Sequence, residues 1–163
     1  MDNTDETLAA LLGRGGVYYR VAGSGVREQM GSLIAGLKLP PETDAAIDRE
    51  LLLKAALERE DLMNTAIGRG IALPHPRNPL ITDSAHQFVA IGFFEQPADW
   101  NALDREKVHS AIFIVSASPK THLRILSRIN YFCQQEGFRK LLLERAPPEK
   151  IVRLIAESEQ AWR

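Results

Sequence analysis

The sequence predicts a single α/β domain, with a mixed β-sheet covered by helices on both faces. Two observations carry this. Residues 87–94 (QFVAIGFF) and 108–116 (VHSAIFIVS) are almost continuously apolar, as strands buried on both faces must be. Around them, apolar residues recur at helical spacing, so helices alternate with strands along the chain. A length of 163 residues is enough for one proper core, and no internal repeat or low-complexity segment interrupts it.

The elements follow in order. Residues 5–12 suit a short helix with Thr4 or Asp5 as N-cap, ended by Gly13, Gly15 and Gly16. Residues 17–21 (VYYRV) have the β-branched and aromatic content of a strand. Ser24 can cap a helix over 26–38, whose apolar face is Met30, Leu33, Ile34 and Leu37, and Pro40-Pro41 stops it. A second helix is predicted over 43–58, with Ile47, Leu51, Leu52, Ala55 and Ala56 as its buried stripe and Asp48, Arg49 and Glu50 on the solvated side. Residues 96–104 read as a loop with an edge segment. Ser118-Pro119 then starts a helix, with Ser118 as cap and Pro119 in the first helical position. That helix is predicted to run through Phe132 to an interruption at Gly137. Short helices over 138–144 and 149–159 complete the chain.

The stretch 59–77, REDLMNTAIGRGIALPHPR, concentrates the chemistry. It leaves a helix, crosses a polar turn and a Gly-x-Gly pair, and ends a short apolar strand on a histidine between two prolines. Each proline fixes its own φ and biases the residue before it towards extended geometry, so the backbone of His75 has little freedom. Gly68 and Gly70 permit positive φ or close backbone approach. Arg59 ends the preceding helix, where a cation suits the dipole, and its guanidinium can bind an anion bidentately. His122 falls with Lys120 and Thr121 in the first turn of a later helix, where the positive dipole end favours anions.

This pattern resembles the active-site motif of the fructose/mannitol-type enzyme IIA family of the bacterial phosphotransferase system. The family motif reads Arg-Glu, a short polar turn, Gly-x-Gly-(Ile/Val)-Ala-(Ile/Leu)-Pro-His. Here it stands as Arg59-Glu60 and Gly68-Arg69-Gly70-Ile71-Ala72-Leu73-Pro74-His75, with a second match at Lys120-Thr121-His122-Leu123. The chain looks most like the nitrogen-regulatory IIA subfamily, with one such domain over 1–163 and its core at about 11–157. The resemblance implies that His75 is the phosphoryl acceptor, that Arg59 neutralises the phosphate, and that His122 lies beside it and helps bind it. Pro119, Thr121 and Thr65 are expected as supporting or phosphate-binding residues. It also implies an HPr-like phosphocarrier as donor, and a separate IIB or a regulatory protein as target. Two positions depart from the family: Pro76-Arg77 follows the histidine where many sugar-specific members have Gly, and Arg69 stands where Asn is common. The chain shows no IIB or IIC region, which favours regulation over sugar uptake. A sugar-specific IIA and a non-phosphorylated interaction domain remain the competing readings.

Composition narrows the alternatives. The net charge is −1, so no broad basic surface is implied and direct nucleic-acid binding is not expected. No run of about 18 apolar residues suggests a membrane span. The acidic N-terminus lacks the basic and apolar regions of a signal peptide. With the single cysteine, Cys133, these features point to the cytoplasm. Cys133 lies in a helical apolar pattern and is expected to be a buried, inert thiol. No metal or other cofactor is expected, because His75 and His122 supply two ligands and no third has suitable spacing. His86 reads as exposed and His109 as structural or solvated, and neither is assigned a role. Glu58, Glu60 and Asp61 read as charges at the solvated end of a helix.

Overall fold

The computed structural model describes residues 6–162. In chain order the elements are α1 (Leu8–Gly15), β1 (Val17–Val21), α2 (Val26–Ala35), α3 (Pro41–Ala46), α4 (Arg49–Leu62), β2 (Ala66–Gly68), β3 (Ile71–Ala72), β4 (Phe88–Ala98), β5 (Val108–Val115), α5 (Pro119–Cys133), α6 (Glu136–Leu143) and α7 (Pro148–Ala161). The five strands form one sheet in the order β1-β4-β5-β3-β2. β1 runs parallel to β4 and β3 parallel to β5, whereas β4/β5 and β2/β3 are antiparallel. The sheet is therefore mixed, as its sequence predicts.

The two apolar runs are the central strands, and their alternation builds two cores. Val89, Ile91 and Phe93 of β4, with Ile112 and Ile114 of β5, pack against α1, α5, α6 and α7. Phe88, Ala90 and Phe94, with Ala111, Phe113 and Val115, pack against α2 and α4. Each strand is thus apolar on both faces because each face has helices to cover. Ile91 and Ile112 are 1% and 2% exposed. Among the described residues no helix is long and apolar enough to cross a membrane.

Several boundaries differ from expectation for identifiable reasons. The N-cap of α1 is Thr7, whose hydroxyl accepts from Ala10 N, so Gly13 and Gly15 lie inside the helix and Gly16 ends it. The caps expected at Thr4 and Asp5 lie outside the described residues. Gly25, not Ser24, occupies the N-cap of α2, which stops at Ala35. The helix predicted over 43–58 is two helices. Ile47 is extended, and Asp48 caps α4 by accepting from Leu51 N. This restart changes the helical phase: Leu52 and Ala56 are buried and Leu51 is 48% exposed. β4 continues through Gln96 to Ala98, so the predicted edge segment is the end of that strand. α5 ends at Cys133, and Gly137 sits within α6 rather than at a break.

Candidate active site

The site forms around the β2–β3 hairpin, with the end of α4 on one side and α5 on the other. Gly68, Arg69 and Gly70 all have positive φ, at 93°, 57° and 80°. Arg69 holds this conformation without glycine's freedom, and its N–H donates to Asp104 Oδ2 at 2.7 Å. Gly70 has a steric requirement as well, because a Cβ there would lie 2.3 Å from His109 Cδ2. Its carbonyl accepts from His109 N and Ser110 N, tying the turn to β5.

Beyond β3 the chain stays pinned on both sides. Leu73 N donates to Thr65 O at 2.9 Å, and Ile114 N donates to Pro74 O at 3.2 Å. His75 follows directly and is 9% exposed. Its Nδ1 lies 2.8 Å from Leu73 O. A carbonyl only accepts, so Nδ1 carries the proton and Nε2 keeps its lone pair. Burial lowers the pKa of His75 and the Arg59 charge lowers it further, against the opposing bond to Leu73 O.

The structure brings the sequence-selected side chains together unevenly. The rings of His75 and His122 are 4.4 Å apart between centroids, tilted by 44°. The pKa of His122 is lowered to about 4, first by burial, then by His75 and by Arg59. Arg59 stands in the last turn of α4 and donates from Nη1 to Met63 O at 2.6 Å. With His75, Thr65, Asn64 and Asn130 it lines a depression of about 180 Å³. Thr65 is buried there, and its hydroxyl donates to Glu60 Oε1 at 2.6 Å. Its donor is therefore engaged, which makes it a support for the hairpin.

The start of α5 is more occupied than the sequence suggests. Ser118 Oγ accepts from Thr121 N, and Ser118 O accepts from His122 N. Thr121 is buried, and its own hydroxyl accepts from Ser118 Oγ at 2.9 Å. Thr121 thus belongs to the cap, while Pro119 lines a second pocket with His122.

Sequence reasoning overlooked Glu60. Far from being a solvated charge, it is partly buried, and its two oxygens take the N–H and the hydroxyl of Thr65 at 2.7 and 2.6 Å. Desolvation raises its pKa, opposed by the bonds from Thr65 and by Arg59. A hydrogen-bonded path then runs from this carboxylate through Thr65 and Leu73 to Nδ1 of His75. The remaining candidates are peripheral. His86 is half-buried rather than exposed, with Nδ1 3.3 Å from Thr43 Oγ1. His109 is structural: it packs under Gly70, and its Nδ1 lies 2.7 Å from Ser110 Oγ. Cys133 is buried, which pushes its thiol up to about 12. Among the described residues no three His, Cys, Asp or Glu side chains gather as a metal site would need.

Residues 38–158 match the sequence family described as phosphoenolpyruvate-dependent sugar phosphotransferase system, EIIA 2. The chain belongs to that family. Among its relatives, the fructose-specific EIIABC component of Bacillus subtilis is 32% identical over 116 residues. That match covers 69% of this chain but 18% of the relative's length. The nitrogen regulatory protein of Escherichia coli is 29% identical over 128 residues, covering 76% of this chain and 71% of the relative. The crystal structure of nitrogen regulatory protein IIA-Ntr from Neisseria meningitidis superposes with a TM-score of 0.72 at 18% identity, covering 85% of this chain and 92% of that one. The complex of enzyme IIA and phosphorylated enzyme IIB for mannitol from Escherichia coli gives 0.67 at 15% identity, covering 86% and 94%. The fold of this EIIA chain is thus that of solved IIA proteins.

Proposed function

We propose that this EIIA chain is a phosphohistidine carrier that accepts a phosphoryl group on Nε2 of His75 from an HPr-like protein. The observation that carries the reading is the Nδ1 to Leu73 O bond of 2.8 Å, which leaves Nε2 with its lone pair beside His122. In the transfer, a P–N bond forms at Nε2 as the donor's P–N bond breaks. The bonding electrons return to the donor imidazole, while Nδ1 keeps its proton throughout. The transition state is loose, so the protein's work is to position the groups in line and to balance charge on the equatorial oxygens. Arg59 supplies that charge, and among the described residues no carboxylate pairs with it. The neutral ring of His122 donates a hydrogen bond. Thr65, Pro119 and Thr121 hold the surrounding backbone.

A protein partner suits the surface. Leu62 and Met63 are 65% and 69% exposed beside Arg59, and Leu123 is exposed beside His122. Such an apolar rim around a polar centre is how protein interfaces are built. A nitrogen-regulatory role is the reading we favour. Passing phosphate to a separate IIB is the second, favoured by the similarity to a fructose-specific component.

Incubation with enzyme I, HPr and phosphoenolpyruvate, followed by intact mass, tests this. One acid-labile phosphate is expected, lost in His75→Ala and formed more slowly in Arg59→Ala. Transfer of the label to a IIB cysteine would select the sugar reading. A chain that takes no label would be an interaction domain, and the proposal would fail.

A further inference from the structure

A second pocket opens on the other side of His122, and neither His75 nor Arg59 lines it. It encloses about 200 Å³, and Arg77, Ser116, Pro119, His122 and Leu123 are among its walls. Three features give it an anionic preference. Arg77 is exposed, and among the described residues its guanidinium has no carboxylate or carbonyl partner. Pro119, the first residue of the 15-residue helix α5, places the positive end of that helix against the pocket. No carboxylate lines it.

The independent observation is Ser116. It is 6% exposed, yet among the described residues its hydroxyl has no hydrogen-bond partner. Alternation along β5 puts its side chain on the same face as Ile112 and Ile114, towards α5 and this pocket. Among the described residues no side-chain polar atom is both sealed from solvent and unpartnered, so this hydroxyl keeps its accessibility, and the pocket that Ser116 lines is where a ligand atom can reach it. The ring of His122 likewise has no hydrogen-bond partner among the described residues. Three side-chain donors therefore converge: a guanidinium fork, a hydroxyl and an imidazole N–H. The remaining walls are the polar Asn78 and the apolar Pro76, Pro79, Ile114 and Leu123.

We propose that this pocket binds the phosphate of a small phosphomonoester, with its short carbon chain against the prolines. A tetrahedral group with three free oxygens uses all three donors, whereas a carboxylate offers two oxygens. The open space of about 200 Å³ leaves room for a phosphate with a short carbon chain. Pro76 and Arg77, which follow the histidine where many sugar-specific members have Gly, both line this pocket. Neutral His122 has a single N–H, so a phosphoryl group on His75 competes with this pocket for it, and the inference applies to the chain with His75 unphosphorylated.

The test is a two-dimensional amide NMR titration of the full chain with propyl phosphate, inorganic phosphate and propionate. Saturable shifts at Arg77, Ser116 and Lys120 are expected. Propyl phosphate should bind about tenfold tighter than inorganic phosphate, because its methylenes are buried, and propionate at least tenfold weaker than propyl phosphate. Arg77→Ala should weaken propyl phosphate at least tenfold, Ser116→Ala about fivefold, and His75→Ala should leave its affinity within twofold. No saturable shift, equal affinity for propionate, or unchanged binding in Arg77→Ala and Ser116→Ala would overturn the proposal. Loss of binding in His75→Ala would place the anion in the other depression and would overturn it equally. Phosphorylation by HPr is measured separately, so failure of one reading leaves the other intact.

Discussion

Removing the Glu60 carboxylate tests how the His75 imidazole is held. In Glu60→Ala, the buried Thr65 loses both partners, at 2.7 Å on its N–H and 2.6 Å on its hydroxyl. Hydrogen bonds to a charged acceptor contribute about 1.5–3 kcal/mol each. Glu60 is only partly buried, so water recovers part of this, and a net loss of about 3 kcal/mol is expected. For a domain of this size each kcal/mol lowers Tm by about 2–4 °C, which predicts a fall of about 6–12 °C in thermal denaturation. Glu60→Gln keeps an acceptor for Thr65 N, and its amide can donate to a reoriented hydroxyl, so it should lose about a third as much. The second readout is the rate of phosphorylation by intact mass, which should fall in Glu60→Ala below its melting range. Thr65 O holds Leu73 N, and Leu73 O holds His75 Nδ1, so loosening the first bond loosens the imidazole. A Glu60→Ala protein that melts within about 1 °C of wild type and labels at the same rate would refute this chain of support.

Three further outcomes follow from the same coordinates. Ile91→Ala and Ile112→Ala remove side chains from the centre of the sheet and should each cost about 2–5 kcal/mol in urea unfolding; losses under about 1 kcal/mol would contradict the packing. Gly70→Ala sets a Cβ 2.3 Å from the His109 ring at φ 80°, so it should lower Tm and slow labelling, whereas Gly13→Ala, with nothing within 4 Å, should do neither. Acid stability should report His122. Its pKa falls from an ordinary 6.5 to about 4 on folding, so between these values the unfolded chain binds the extra proton. That stability is fully present above pH of about 6.5 and is lost as pH falls towards about 4. Discounted for the ring's partial exposure, it amounts to about 1.5 kcal/mol. His122→Asn should flatten that limb of the pH–stability curve, and an unchanged limb would remove the ring from the account.

What could be read in the sequence was what local chemistry decides. Ser118-Pro119 marks the start of α5 because a cap and a first-turn proline act within four residues, and the structure has both. The strands 88–98 and 108–115 were legible as buried runs because both faces had to be apolar. Asp48 was misread because polar residues on a helix face and a capping aspartate look alike until Ile47 is seen to be extended. Glu60 was misread for a longer-range reason. Its partner Thr65 is five residues on, and the two meet only because the chain turns at Met63 and enters β2. Ser116 carries no signal at all in one dimension, since a serine ending a strand is unremarkable until the residue is found buried with its side chain lining a pocket.

The electrostatics support the proposed carrier reading over a structural histidine pair. Two protonated rings 4.4 Å apart would repel by about 4 kcal/mol even at an effective dielectric of about 20. Burial and Arg59 oppose their protonation as well, so both rings stand neutral at pH 7. A structural pair in that state would use its N–H groups on fixed acceptors, as His75 Nδ1 does on Leu73 O. His122 does not: its ring has no acceptor among the described residues, although the helix beneath it is capped by Ser118. An unused donor next to a free lone pair and a guanidinium whose hydrogen-bond partner is a carbonyl rather than a carboxylate is a site short of negative charge. Arrival of a dianion would reverse the balance that holds His122 near 4, drawing its pKa upward and making it a stronger donor only while the anion is present. On the proposed carrier reading, such a site would hold a phosphoryl group without keeping a counter-charge of its own, which is what a group that must be passed on requires.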